Sequence, residues 1–203
     1  RDREPQEAAD PVPDEPAAGD SRVGLTFPTT TLIDPMSDPL ATAYKNPTAN
    51  DSGSVNLGAP NLLKHPPRSP RTRLGGFAHL PRLIDKARAV AAGTQGDFHY
   101  NCPVDERFFS FTGINPDAFM LEVKSGKGDG ELLAYALDHL NPPRSASQIA
   151  SWTRWMEELA PLKVDSRAFF NDVHRKNAPH REDISSWFDW LELDDYVTYG
   201  GKP

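Results

Sequence analysis

With a single cysteine, Cys102, the chain cannot form an internal disulfide. No apolar run is long enough for a signal-peptide core or a membrane span, so the expectation is an intracellular, soluble, cytoplasmic protein with no span of its own. Aromatic residues are nearly missing from the first third, where only Phe27 and Tyr44 precede residue 71. Such a segment buries too little apolar surface to offset a backbone entropy of roughly 1–2 kcal/mol per residue, which excludes an independent core there. A glycine-rich phosphate fingerprint after a strand is also missing. Gly126, Gly128 and Gly130 read as a turn between two helices, no internal repeat is found, and no cofactor is expected.

What is present divides the chain in two. Its 203 residues, 20 prolines and net charge of -7 suit one modest domain plus a non-globular segment. Twelve of the 20 prolines precede residue 71, which gives an extended, acidic, proline-rich arm over residues 1–66 and a helical domain over residues 67–203. Residues 1–20 carry seven carboxylates against two arginines, the composition of a solvated acidic leader. Short apolar islands follow, with Phe27, Leu32, Ile33, Tyr44 and Leu62 spaced as anchors for an extended chain laid along another protein. The sequence begins at Arg1 rather than Met, so it reads as a processed chain or the visible part of a longer one.

The joint between the two parts is basic. Residues 64–88 hold seven Lys or Arg against Asp85, beginning with the run RSPRTR that contains Arg68, Arg71 and Arg73. In an acidic protein this patch suits phosphate, a nucleic-acid backbone or an acidic protein surface, and no nucleic-acid reading module accompanies it. Leu74, Gly75 and Gly76 read as a loop. Pro81 in a first turn and Gly93 as a stop predict a helix over Leu80–Ala92, with Leu80, Leu83, Ile84 and Ala87 on its core face. Arg82, Lys86 and Arg88 are then expected toward solvent or a partner.

The rest reads as mainly α. Pro103 opens a helix stopped at Gly113, and Asn115-Pro116 starts another. Asp129 is read as the cap of a third, Ser145 with Gln148 forms a capping box for a fourth, and Asp165 caps residues 167–176. A last helix is placed over residues 182–193, within a stretch to residue 195 that holds six carboxylates and no Lys or Arg. A charge run of this kind reads first as solvated surface, then as a docking face for a basic partner.

Chemistry concentrates near the cysteine. Cys102 falls at a helix cap, where the backbone N–H groups favour a thiolate, and His99 is near enough in sequence to accept a proton. His99, Cys102 and Asp105 also match three metal ligands, but no fourth lies nearby, so no metal is expected. The competing reading makes Cys102 a small packed thiol among aromatics.

The run SPRTRLGGFAHLPRLIDKARAVAAGTQGDFHYNCPVDERF, with FTGINPDAF and the Trp-rich segment after Ser145, resembles the bacterial domain of unknown function 5069 family. The resemblance covers about residue 67 to the carboxyl end and implies a domain boundary, with no activity, cofactor or catalytic residue attached.

Three functional expectations follow. The first is a non-catalytic accessory or structural subunit docked on a larger assembly, with the arm spread over partner subunits. A membrane-bound respiratory or photosynthetic complex and a ribosome are both compatible, and the first would make the chain peripheral to a membrane complex. The second is a small enzyme or ligand-binding domain in which His99, Asn101, Cys102 and Asp105 converge on a pocket with Arg71 or Arg73. The third is nucleic-acid binding through residues 64–88.

Overall fold

The computed structural model describes residues 58–203; the proposed anchors Phe27, Leu32, Ile33 and Tyr44 lie outside the described residues. Within them the fold is mainly α. Its elements are β1 (Arg73–Leu74), β2 (Phe77–Ala78), α1 (Leu80–Ala92), α2 (Pro103–Thr112), α3 (Pro116–Lys124), α4 (Asp129–Asp138), α5 (Ala146–Glu158), α6 (Val164–Asn177) and α7 (Trp187–Thr198).

Local chemistry explains most boundaries. Pro81 begins α1 at no cost because the first helical N–H groups lack partners, and Gly93 ends it with φ 69°, a left-handed conformation that favours glycine. Asn115 caps α3 by accepting from the N–H groups of Asp117 and Ala118 at 2.8 and 3.1 Å. In α5, Ser145 and Gln148 form the reciprocal box, with Ser145 N–H donating to Gln148 at 2.8 Å.

Four expectations about element boundaries are corrected. Residues 73–78 form an antiparallel hairpin rather than a loop, with Arg73 opposite Ala78 and Leu74 opposite Phe77. Its turn, Gly75-Gly76, has φ 58° and 88°, positive at both central positions as a two-residue hairpin requires. The last helix starts at Trp187 instead of residue 182, because the Ser186–Asp189 box supplies the cap there. Asp129 is the first helical residue of α4, whose cap is Gly128, and Lys163 rather than Asp165 precedes α6.

The core is built around α1. Phe77, Leu80, Leu83 and Ile84 are fully buried with Phe108, Phe119 and Leu132. Phe77 meets Phe108 edge to face at 5.5 Å and Trp152 at 6.1 Å, and such pairs add about 0.5–1.5 kcal/mol each to area burial. A smaller cluster, Phe170, Ala178, Ile184 and Leu193, joins α6 to α7. Thr153 ties α5 to the hairpin: its hydroxyl accepts from Ala78 N–H at 3.0 Å and donates to Gly76 O at 2.7 Å. Leu62 is spent inside the fold, 2 % exposed, with its N–H on Thr94 O at 2.9 Å and its carbonyl accepting from the Tyr199 hydroxyl.

α1 is buried on its polar side as well. Arg82 and Lys86, expected outward, are 2 % and 3 % exposed. Arg82 grips Asp195 of α7 through two bonds of 2.6 and 2.9 Å, and Asp85 receives Arg68. Charges buried to this extent are stable only when paired and hydrogen-bonded.

Candidate functional site

Lys86 leads to the chemical centre of the domain. Its ammonium donates to both carboxylate oxygens of Asp105 at 2.7 Å, to His99 O at 3.1 Å and to Cys102 Sγ at 3.3 Å. From the other side the His79 ring contacts the same carboxylate, Nε2 to Oδ1 at 2.7 Å. Asp105 is wholly buried and also accepts from Cys102 N–H at 3.3 Å, closing a capping box on α2.

Three elements position these groups. The hairpin delivers His79, which stands at the N-cap of α1 with φ 68°, a left-handed conformation unusual for a residue with a Cβ. Seven residues on, about two helical turns later, α1 supplies Lys86. The capping box at the start of α2 fixes Asp105 and Cys102. The His79 ring then stacks on Phe188 of α7 at 5.9 Å, which sets its plane.

The electrostatics of the cluster are settled by burial and by one cation. Burial, the largest influence on His79, pushes its imidazole below the usual value, and Lys86 and Arg82 act in the same sense. His79 is therefore neutral at pH 7. Burial raises the Asp105 carboxyl, but the His79 hydrogen bond and the Lys86 charge outweigh it and hold it at about 2. With His79 neutral, Lys86 carries the charge that keeps Asp105 ionised. The ring proton then belongs on Nε2, facing the carboxylate, and Nδ1 keeps a bare lone pair. That Nδ1 is buried and has no hydrogen-bond partner among the described residues.

The cluster forms part of the wall of a cavity of about 460 Å³. His79, Lys86 and Cys102 contribute polar wall, Phe98, Val104, Trp190 and Leu191 apolar wall, with exposed Asp97 and His99 also lining it. Trp190 contributes a second buried nitrogen, Nε1, that has no partner among the described residues. A larger and more open depression of about 590 Å³ runs over Phe111, Trp152 and Trp155. Its walls bring no buried titratable cluster, so the smaller cavity is the chemical candidate.

The residues singled out from sequence divide between this site and elsewhere. Cys102 and Asp105 are in the cluster, with Cys102 half-buried. His99 enters through its backbone carbonyl, while the imidazole that meets Asp105 is that of His79. Asn101 points to a different depression, and Arg71 and Arg73 lie elsewhere, on Asp189 and Glu192 and on Glu157 respectively. His79, Lys86 and Trp190 were missed. One signal for His79 was available: a polar residue inside the apolar run Phe77, Ala78, Leu80.

Six of the seven Lys and Arg of residues 64–88 make ion pairs inside the domain: Arg68, Arg71, Arg73, Arg82, Lys86 and Arg88. Three of the carboxylates read as solvated surface, Asp189, Glu192 and Asp195, are partners in those pairs. Among the described residues no group of His, Cys, Asp and Glu could hold a metal ion, and no helix is long and apolar enough to cross a membrane.

The chain belongs to the family described as a domain of unknown function (DUF5069), whose model matches residues 64–197, the hairpin and all seven helices but for the last residue of α7. No curated protein matches it.

Proposed function

We propose that this domain binds a small molecule in the cavity between α1, α2 and α7, whose polar wall is held in place by the carboxylate of Asp105. One observation carries the reading: His79 and Lys86, both buried and both bonded to Asp105, line a cavity of small-molecule size together with Cys102. The Lys86 ammonium and the Cys102 sulfur, 3.3 Å apart, place a cation and a nucleophile in the same wall. In the full chain, iodoacetamide is expected to label Cys102 in the native state, and Leu191→Trp, which fills the cavity, is expected to slow labelling several-fold. A thiol that reacts only after denaturation overturns the reading.

A second reading keeps the chain as an accessory subunit of a larger protein assembly. It is supported by the proline-rich, aromatic-poor composition of residues 1–66 and by the open depression lined by Phe111, Trp152 and Trp155, the last 46 % exposed. Phe111 stacks on Trp152 at 4.9 Å and carries the Arg144 guanidinium over its own ring at 4.7 Å, an arrangement common in protein interfaces. Deleting residues 1–57 and co-purifying the remainder is the test, and undiminished retention on the partner assembly would remove the tethering role.

A further inference from the structure

The wall of the cavity carries a charge imbalance. Its two cations are each held by a carboxylate of the protein, Arg82 by Asp195 at 2.6 Å and Lys86 by Asp105 at 2.7 Å. The same wall carries two more carboxylates, Asp97 and Asp194, which enter no ion pair among the described residues. With His79 neutral, the acidic and basic side chains of the wall and the carboxylates that hold them leave two negative charges unmatched.

The unmatched carboxylates belong to the accessible part of the wall. Asp97 is exposed and Asp194 half-buried, whereas His79 and Lys86 are buried. Burial first, then the adjacent Asp195 charge, raises the Asp194 carboxyl above its ordinary value, and Arg82 offsets only part of this. A carboxylate so placed is stabilised by a cation that reaches it, and partial removal from water strengthens the attraction. The rest of the wall is apolar: Val104, Leu191 and the ring of Trp190, with Phe98 already carrying the Arg82 guanidinium over its ring at 5.6 Å. Aromatic rings in the wall favour a cation further.

From this imbalance we propose that the cavity binds an organic cation, a small amine with an apolar body, whose ammonium is matched by Asp97 and Asp194 and whose body packs on Val104, Trp190 and Leu191. The inference rests on the reading of the cavity as a ligand site and specifies the charge that the site selects. A carboxylate of the same size adds to the negative surplus. A neutral compound of the same size gains the apolar contacts alone.

The test uses the full chain and three probes of nearly equal size, benzylamine, benzyl alcohol and benzoate, with binding followed by calorimetry at millimolar concentrations near pH 7. Benzylamine is expected to bind about tenfold more tightly than benzyl alcohol, the worth of one charge-assisted hydrogen bond, and benzoate more weakly than either. Asp97→Asn and Asp194→Asn keep the side-chain shape and remove one charge each. Combined, they should weaken benzylamine about tenfold and leave benzyl alcohol unchanged, which also reports an intact fold. Leu191→Trp, which fills the cavity, should abolish binding of both. Benzyl alcohol or benzoate bound as tightly as benzylamine, or benzylamine affinity unmoved in the double variant, overturns the cation class while leaving the cavity a binding site. Failure of all three probes, or binding undiminished in Leu191→Trp, overturns the ligand-site reading as well.

Discussion

Replacing Lys86 by Met isolates the interaction on which the buried cluster depends. The substitution keeps an unbranched side chain of similar length and removes the ammonium. Asp105, with no exposure, would lose the cation that donates to both its oxygens at 2.7 Å and keep only His79 and the Cys102 N–H. Removing one partner of a buried ion pair costs about 3–5 kcal/mol, because the other charge stays buried without compensation. In a domain of this size a kilocalorie moves the melting temperature by roughly 3 °C, so Lys86→Met should melt about 10–15 °C below the parent. Urea unfolding gives the free energy directly, and Lys86→Met combined with Asp105→Leu should recover a large part of the loss, since no unpaired charge remains. A single-variant cost under about 1 kcal/mol, or a double variant no better than the single, would refute the claim that Lys86 and Asp105 form one buried pair.

Four further outcomes follow from contacts in the same domain. His79 is held below its ordinary pKa by burial, so below about pH 6.5 protons favour the unfolded chain and stability should fall with pH; urea midpoints between pH 7.5 and 5 should show this loss, and His79→Leu should lack it. Asp105, held at about 2, contributes stability that is present above about pH 4 and lost as pH falls toward that value, on the order of 2 kcal/mol, visible as a second acid transition. Thr153→Val deletes a buried hydroxyl that both accepts from Ala78 and donates to Gly76, and should cost about 1–3 kcal/mol in thermal or urea unfolding; a neutral effect would mean that the hairpin is not tied to α5 in this way. Because six of the seven basic residues at positions 64–88 are paired within the domain, fluorescence anisotropy at low salt should detect no binding to single- or double-stranded polynucleotides.

Local signals in the sequence located α1, α2 and α5 well, since Pro81, Gly93, Pro103, Gly113 and the Ser145–Gln148 box act within a few residues of themselves. The hairpin escaped because strands of two residues have no periodicity to detect. The start of α7 was displaced because Glu182 and Asp183 resemble a first helical turn, whereas the cap is made by Ser186 and Asp189.

The site was half legible. Cys102 could be placed at a helix cap from local signals and Asp105 named beside it as a site candidate, but their cation lies 16 and 19 residues back on another helix. Helical periodicity put Arg82 and Lys86 on the polar face of α1, which is correct for the isolated helix. What the pattern cannot show is that this face meets Asp105 of α2 and Asp195 of α7, the latter 113 residues away. The basic joint and the acidic last helix were read as two unmatched surfaces for the same reason. The two meet through Arg71 with Asp189 and Glu192 and through Arg82 with Asp195, while the other basic side chains find carboxylates elsewhere in the domain.

The most direct test of the buried cluster is a long-range proton–nitrogen NMR correlation of the His79 ring at pH 7. The structure requires a neutral ring protonated on Nε2, facing Asp105, with Nδ1 bare. A doubly protonated ring or a proton on Nδ1 would contradict it.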